Sequence, residues 1–272
     1  VAVLQYGRFA MLVFGQYGTM GAAVKDLRFT FSITKTRKSS ANSATITVYN
    51  LAERNRKRLQ AKGTALSLLV GYGGAMQLLF AGEVNHGRVL YAAPDWISEA
   101  ECLDGQGALT VGALSRTWPA GTPRLLIAQT LAASLTGLAL GPVEAAPFVG
   151  MISAPLSVSG SSRVSLDKLA AAWGFTWSVQ DGIVEFRTDG GIGSGLATAP
   201  LLSPQTGLIG SPEWTDDGLS VRCLLTPAIR PGGRVVVVSK TANGVFQVES
   251  VQHSGDTHGN DWTSQATCKE VL

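Results

Sequence analysis

Leu27–Ile33 reads LRFTFSI, with apolar Leu27, Phe29, Phe31 and Ile33 alternating with polar Arg28, Thr30 and Ser32. A period of two puts one set of side chains against a core and the other in water, which is how a strand with one buried face is written. Around it, Arg8–Phe14, Ala44–Tyr49, Ala65–Val70, Leu78–Asn85 and Trp96–Leu103 carry similar apolar patterns and are separated by Gly, Asn, Asp or Pro. Such a run of short strands suggests a barrel or a sandwich. One helix interrupts it. Asn50 is placed to cap LAERNRKRLQAKG (Leu51–Gly63), Leu51 and Leu59 face inward, and Gly63 supplies the stop. Arg54, Arg56, Lys57, Arg58 and Lys62 on this helix could bind phosphate as a DNA-contacting collar. A solvated outer face is the simpler reading, because no aromatic residue is interleaved for base stacking.

Composition agrees with many strands and tight turns. Of 272 residues 32 are Gly, while charged residues make up 15% and aromatic residues 7%, unlike a helical bundle rich in Glu and Lys. The net charge of +3 gives no basic surplus of the kind that marks a dedicated nucleic-acid binder. Cys102, Cys223 and Cys268 are odd in number and widely spaced, which suggests neither a disulfide framework nor a metal knuckle and fits a reducing compartment. Val1–Phe14 lacks the basic start and small-residue cleavage site of a secretory signal. Gly63–Gly82 and Leu125–Val143 are uncharged, but Gly71, Gly73 and Gly74 break the first. Gln129, Thr130, Ser134, Thr136 and Gly137 break the second, so no membrane span is expected.

The middle of the chain is mixed. Thr122-Pro123 predicts a helix from 123 to 138 with Leu125, Leu131, Leu135 and Leu138 as its buried stripe. Over 156–187 a βαββ unit is expected: PLSVSG as a strand, a helix capped by Ser165 and stopped by Gly174, and a hairpin turning at Asp181-Gly182. Trp173, Phe175 and Trp177 there read as packing residues rather than a ligand cage. Thr188–Pro200 looks like a linker, and its glycines are followed by neither Lys-Ser nor Lys-Thr, so it is no phosphate loop. Strands return at Leu219–Leu225, Arg234–Lys240, Val245–His253 and Trp262–Lys269, with turns at EWTDDG and at Asn243-Gly244. The fold class is therefore mainly β with a small α+β part. Its expected division is an N-terminal β domain over 1–104, a mixed connector over 105–190 and a C-terminal β domain over 191–272.

HSGDTHGNDW (His253–Trp262) holds two of the three histidines and two aspartates. His253, Asp256, His258 and Asp261 could surround a metal ion or pair a base with an acid, as a cell-wall hydrolase or metal-dependent enzyme would need. The turn reading is favoured, since Gly255 and Gly259 place the middle of the motif in a connection and Asp256 and Asn260 suit turns. No GxSxG elbow, HExxH or thiol beside a histidine occurs. Glu99 and Glu101 share a strand face, Asp216-Asp217 lie in a turn and His86 stands alone. No catalytic residue and no cofactor are assigned.

The C-terminal third also carries a resemblance. LLSPQTGLIGSPEWTDDGLSVRCLLTPAIRPGGRVVV (Leu201–Val237), followed by VFQVESVQHSGDTHGNDW, resembles the closing barrel of baseplate hub proteins of tailed bacteriophages. LRFTFSITKTRKSSANSATITVYNLAERNRKRL and LLFAGEV resemble that family's opening barrel. The likeness is weakest between Gly105 and Pro155. It implies two small β-barrel, tube-initiator-like domains flanking the mixed module, and three chains in a ring whose six barrels match a hexameric tail tube on one face and a trimeric spike on the other. Closed rings consume complementary surfaces that an open contact would leave to polymerise, and an obligate interface would bury about 2,000 Å² or more. The implied partners are the tail tube, spike and other baseplate proteins, with the tape-measure protein and transiting DNA in the channel. The implied location is the tail baseplate of a virion, or of a related contractile injection device, assembled in the host bacterial cytoplasm. In this reading His253, Gly255, Asp256, His258, Gly259, Asn260, Asp261 and Trp262, with Pro227, Pro231 and Gly232, shape turns at a barrel rim or touch a neighbouring subunit. Larger hubs carry an inserted lysozyme-like domain, for which this chain has no room.

Overall fold

A computed structural model describes residues 7–16, 21–144, 146–188 and 199–271. The chain forms two compact units, one from residues 1–36, 42–103 and 194–272 and the other from 37–41 and 104–193. The expected linker at Thr188–Pro200 lies mostly outside the described residues. Among the described residues no helix is long and apolar enough to cross a membrane.

The first unit begins with β1 (Arg8–Gly15), β2 (Ala22–Val24), β3 (Phe29–Thr36), β4 (Ser43–Tyr49), α1 (Glu53–Gln60), β5 (Ala65–Tyr72), β6 (Ala75–Ala92) and β7 (Asp95–Leu103). These strands pair antiparallel in the order β3-β4-β7-β6-β5-β1-β2. Alternation decides the buried set: Phe29, Phe31 and Ile33 of β3 join Ile46 and Val48 of β4 in one core, while Ser32, Thr34 and Thr45 stay wet. Leu51 and Leu59 are buried as predicted, but Asn50 does not cap α1. It adopts a left-handed φ of 55°, which Asn tolerates. Its side chain is committed to the β6–β7 turn, donating to Asp95 at 2.7 Å and accepting from the Trp96 amide at 3.0 Å. The helix stops at Gln60, ahead of Gly63, where the Thr64 hydroxyl takes the Arg58 carbonyl at 2.9 Å.

The second unit holds α2 (Gln106–Val111), β8 (Arg116–Trp118), α3 (Arg124–Ala133), β9 (Ala139–Val143), a 3-10 turn at Ala146–Phe148, β10 (Leu156–Val158), α4 (Ser162–Trp173), β11 (Thr176–Gln180) and β12 (Ile183–Arg187). Helix α3 is shorter than the expected 123–138. The Ser134 hydroxyl binds the Leu131 carbonyl at 2.6 Å and Gly137 takes a φ of 92°, so the chain leaves the helix there. Thr122 does not cap it either, because its hydroxyl binds back to Pro119 at 2.7 Å. Ser161, not Ser165, caps α4; Ser165 lies one turn inside and bonds the Ser161 carbonyl. Gly174 ends that helix at a φ of 71° as predicted. The Asp181-Gly182 turn also forms, its two amides held by the Asp104 carboxylate at 2.5 and 2.8 Å. The βαββ unit is not one sheet: β10 pairs with β8, and β12 is flanked by β11 and, in parallel, by β9. Phe148, Phe175 and Phe186 form the aromatic centre with ring centroids 4.9 to 5.5 Å apart, and Trp177 donates to Asp167, so the aromatic residues of this module are packing.

The chain returns to the first unit with β13 (Leu201–Leu202), β14 (Glu213–Thr215), β15 (Gly218–Leu224), β16 (Arg234–Val238), β17 (Asn243–Asp256) and β18 (Trp262–Glu270). The β16–β17 turn is Ser239–Ala242 instead of Asn243-Gly244, since the Ser239 hydroxyl accepts the Thr241 and Ala242 amides and leaves Asn243 paired opposite Val238. Both ends of the chain share one thirteen-stranded sheet, in the order β14-β15-β18-β17-β3-β4-β7-β6-β5-β1-β2 with β16 and β13 branching from β17. The chain is mainly β, as its alternation predicts, but among the described residues no sheet closes on itself, so closed barrels are not seen. The sheet instead carries two hydrophobic cores, one from β1–β7 and one from β13–β18.

Ile46 is fully buried and Thr45 beside it is exposed. Chemical denaturation should therefore find Ile46→Ala destabilising by about 2–5 kcal/mol and Thr45→Ala changing stability by no more than about 0.5 kcal/mol.

Candidate functional site

Strands β3 and β17 pair over seven residues, from Thr36 opposite Ser250 to Thr30 opposite Asp256. Among the described residues this is the one strand pairing that joins the β1–β7 part of the sheet to the β13–β18 part. HSGDTHGNDW lies at its end. Strand β17 runs through Gly255 and Asp256, and only Thr257–Asp261 form the connection to β18. Gly255 is thus a strand residue rather than a turn former. A side chain there would strike the Phe31 ring and come within 2.9 Å of Trp262. Trp262 sits edge-on to Phe31 at 5.6 Å and, with Leu225, is buried in the core built from β1–β7. The last hairpin thereby completes the first core.

Polar contacts fix the same seam. The Asp256 carboxylate takes an ion pair from Arg28 at 2.8 Å and the His258 amide at 2.9 Å, an Asx turn that starts the connection. The Arg28 guanidinium first, then the His258 and Gly259 amides, hold this carboxyl down at about 2 against burial, which acts the other way. Arg28 is half exposed, so solvent screens much of that pairing. Thr257 extends the ladder, its amide to the Phe29 carbonyl at 3.1 Å and its hydroxyl accepting from the Phe29 amide at 3.0 Å. Arg8 stacks on Trp262 at 5.6 Å and donates to the Gly259 carbonyl. Tyr72, whose hydroxyl burial pushes up to about 12, donates to the Leu225 carbonyl at 3.0 Å.

His253 is not a turn residue. It lies inside β17, 1% exposed, with Nδ1 at 2.7 Å from the Ser264 hydroxyl. The other ring nitrogen donates to the Ile229 carbonyl, so in the neutral ring Nδ1 accepts the Ser264 proton, while the Ser264 oxygen accepts the Thr226 amide. Burial first, and then the Lys35 charge, push this imidazole down to about 3. His258 is exposed at the tip beside Thr257, Asn260 is exposed, and Asp261 touches the Thr263 hydroxyl. His253, Asp256, His258 and Asp261 therefore do not converge. Among the described residues no group of three or more His, Cys, Asp and Glu is placed to hold a metal. Arg8 divides two surface depressions, one lined by Tyr72, Ile209, Leu224 and Asn260, the other by Lys25, Asp26, Thr257 and His258, and neither brings two carboxylates together.

The remaining candidates are dispersed. Glu99 pairs with Arg88 at 2.8 Å, Glu101 stands opposite His86, and Asp216-Asp217 form the β14–β15 turn. Pro227, Pro231 and Gly232 are buried in the β15–β16 connection, where the Gly232 amide binds the Val248 carbonyl at 2.7 Å. On α1, Lys57 pairs with Glu53, and Arg56 stacks on Trp96 at 4.3 Å, an aromatic neighbour that comes from β7 and not from the helical segment. All three cysteines are buried with thiols pushed up to about 12, unsuited to nucleophilic chemistry. Sequence reasoning missed Arg8, Arg28 and Tyr72, the partners of the motif; the one local signal was Arg28 on the wet face of an alternating strand.

Asp256→Ala should cost about 1–3 kcal/mol in denaturant unfolding, by stranding the His258 amide as well as Arg28. Asp256→Asn, which keeps an acceptor for that amide, should cost less. Since His253 titrates near 3 in the fold and near 6.5 unfolded, its contribution is complete above pH 6.5. It is lost as pH falls, because only the unfolded chain takes up the proton. Between pH 6.5 and 4.5 this amounts to about 2–3 kcal/mol, and thermal melts of His253→Gln should be flatter over that window than those of the wild type.

Comparison with known proteins places this architecture. Residues 13–268 match the family model described as Baseplate hub gp41. A search of curated proteins finds no significant match. Among solved structures, the 43 kDa tail protein of prophage MuSo2 from Shewanella oneidensis is similar at a TM-score of 0.68 and 11% identity, over 95% of this chain and 98% of that one. A tail protein from Neisseria meningitidis MC58 gives 0.68 and 12%, over 97% of each. The E. coli c3393 protein is described as a type VI secretion system component structurally similar to the T4 bacteriophage tail proteins gp27 and gp5. It gives 0.65 and 11%, over 95% of this chain and 77% of its own. With most of its length matched by the family model and its fold shared with phage tail proteins, the chain belongs to the Baseplate hub gp41 family.

Proposed function

We propose that the chain is a non-enzymatic structural hub of a bacteriophage tail baseplate, three copies of which form a ring joining the hexameric tail tube to the trimeric spike. The observation that carries this reading is the pairing of β3 with β17. It sets two β modules, each with its own core, side by side in one sheet, so that three chains supply six modules to a six-fold tube. The sheet face turned away from the cores supports a water-filled channel. From β15 to β4 it presents Ser220, Arg222, Gln265, Thr267, Lys269, Gln252, Ser32, Thr34 and Thr45, a polar set in which Arg222 and Lys269 carry charge. A polar face of this kind stays wet in a channel through which the tape-measure protein and DNA pass. Other baseplate proteins attach around the ring, and assembly takes place in the host cytoplasm, where three buried free thiols are at home.

Co-expression with the phage's tube and spike proteins tests this. The expected product is a complex with three hub chains, and His258→Ala with Asp261→Ala should assemble as well as the wild type, since both side chains sit outside the seam. A complex with two hub chains would end the three-fold reading, and stoichiometric metal whose removal abolishes a hydrolytic activity would replace the structural reading with the enzymatic one.

A further inference from the structure

Tyr72, Ile209, Leu224 and Trp262 line an open surface depression of about 370 Å³, together with Arg8 and Asn260. Its apolar walls are held from behind. The Ile209 amide donates to the Arg222 carbonyl and the Leu224 amide to the Gly207 carbonyl, each at 2.8 Å, which ties the Ile209 segment to β15. Trp262 is fixed edge-on against Phe31 in the first core. Walls formed before a ligand arrives lose little freedom when it binds.

Two donors meet there without a full set of acceptors. Trp262 is only 4% exposed, yet its buried indole N–H makes no hydrogen bond. Burial raises the neighbouring Tyr72 hydroxyl, and Trp262 and Arg8 both act against that rise, which puts the indole N–H and the guanidinium at the same corner. The Tyr72 oxygen lies outside hydrogen-bond geometry from the indole and gives its own proton to the Leu225 carbonyl. Buried polar groups in folded proteins are nearly always paired, so an orphan beside a depression calls for an acceptor from outside. Arg8 stacks on the same indole at 5.6 Å and spends one of its five donors on the Gly259 carbonyl. Among the described residues its charge has no ion-pair partner, since Asp26 in the neighbouring depression is beyond that distance.

We infer that this depression receives an Asp or Glu side chain of a partner protein, with a large apolar residue beside it lying against Tyr72, Ile209 and Leu224. A carboxylate answers both donors, one oxygen taking the indole N–H and the other the guanidinium, and hydrogen bonds to a charged acceptor are the stronger kind. A small-molecule site encloses most of its ligand. An open depression suits a side chain whose own protein carries the rest of the contact. Val1–Tyr6, the segment of this chain that precedes Gly7 of the lining, holds no acidic residue and does not match this chemistry. The inference goes beyond the hub reading and does not depend on it.

The test uses the isotope-labelled full-length chain and the probe acetyl-Phe-Glu-amide. The NMR signal of the Trp262 indole N–H, assigned through its own side chain, should move on titration with a Kd of about 1 mM. Acetyl-Phe-Gln-amide, which lacks the charge, and acetyl-Ala-Glu-amide, which lacks the ring, should each bind at least about tenfold more weakly. Arg8→Gln should weaken the Glu peptide to a similar degree. Asn260→Asp lies on the exposed connection, clear of the core, and should weaken it about threefold through like charge. An indole signal that stays still, a Gln peptide that binds as well as the Glu peptide, or binding unchanged in both variants overturns the proposal. So does acetate moving the signal at the same concentration as the peptide, which would mean an adventitious ion only. Phenylpropionate binding more than about tenfold tighter than the peptide would mean a small-molecule site and overturn it as well. None of these results alters the number of hub chains found in complexes with tube and spike, so the two readings fail separately.

Discussion

The pairing of β3 with β17 is the constraint on which the first unit depends. Without it, the first and last parts of the chain would be two small β modules with nothing to hold them in register. With it, an apolar wedge is also delivered, because the turn that follows β17 brings Trp262 down onto Phe31. Deleting a buried ring of that size costs about 3–5 kcal/mol, a large share of the stability of any domain. The polar groups around it fix which residue meets which: Asp256 with Arg28, Thr257 with Phe29, Arg8 with Gly259. Apolar burial supplies the strength of the seam and hydrogen bonding supplies its register.

This division explains why the His and Asp of this motif do not converge on one another. A catalytic histidine must reach solvent or substrate and titrate near the working pH. His253 does neither, being enclosed and satisfied on both ring nitrogens by Ser264 and Ile229. Asp256 is engaged by an arginine and two backbone amides, and His258 and Asp261 point to water without a shared focus. Residues that suggest chemistry by type are here used for shape, and family membership in the baseplate hubs is consistent with that use.

Much of the fold was legible from local patterns. LRFTFSI and its companions announced β1, β3, β4, β5 and β7 to within a few residues, since burial of one face imposes alternation that composition cannot hide, while β2 was missed and β6 runs on to Ala92, past the expected Asn85. The failures have physical causes. Asn50 and Ser165 carry the side chains of helix caps, but Asn50 is drawn to a hairpin turn and Ser165 is preceded by a better-placed Ser161. Strand β9 was hidden because Ser134 and Gly137 end α3 before Leu138, and its partner β12 lies in parallel more than forty residues onward. The seam was not visible in the sequence, and the resemblance implied two barrels without a pairing between them. Its partners Arg28 and Asp256 stand 228 residues apart, and no local period records a contact of that range.

That separation also bears on how the protein is made. A ribosome releases the first seven strands long before it releases Trp262, so the leading module must wait with an unfilled notch beside Phe31 until the β17–β18 hairpin has also emerged. The leading module cannot mature alone: a chain cut short by a stalled ribosome before Leu225 and Trp262 would leave its core open to water.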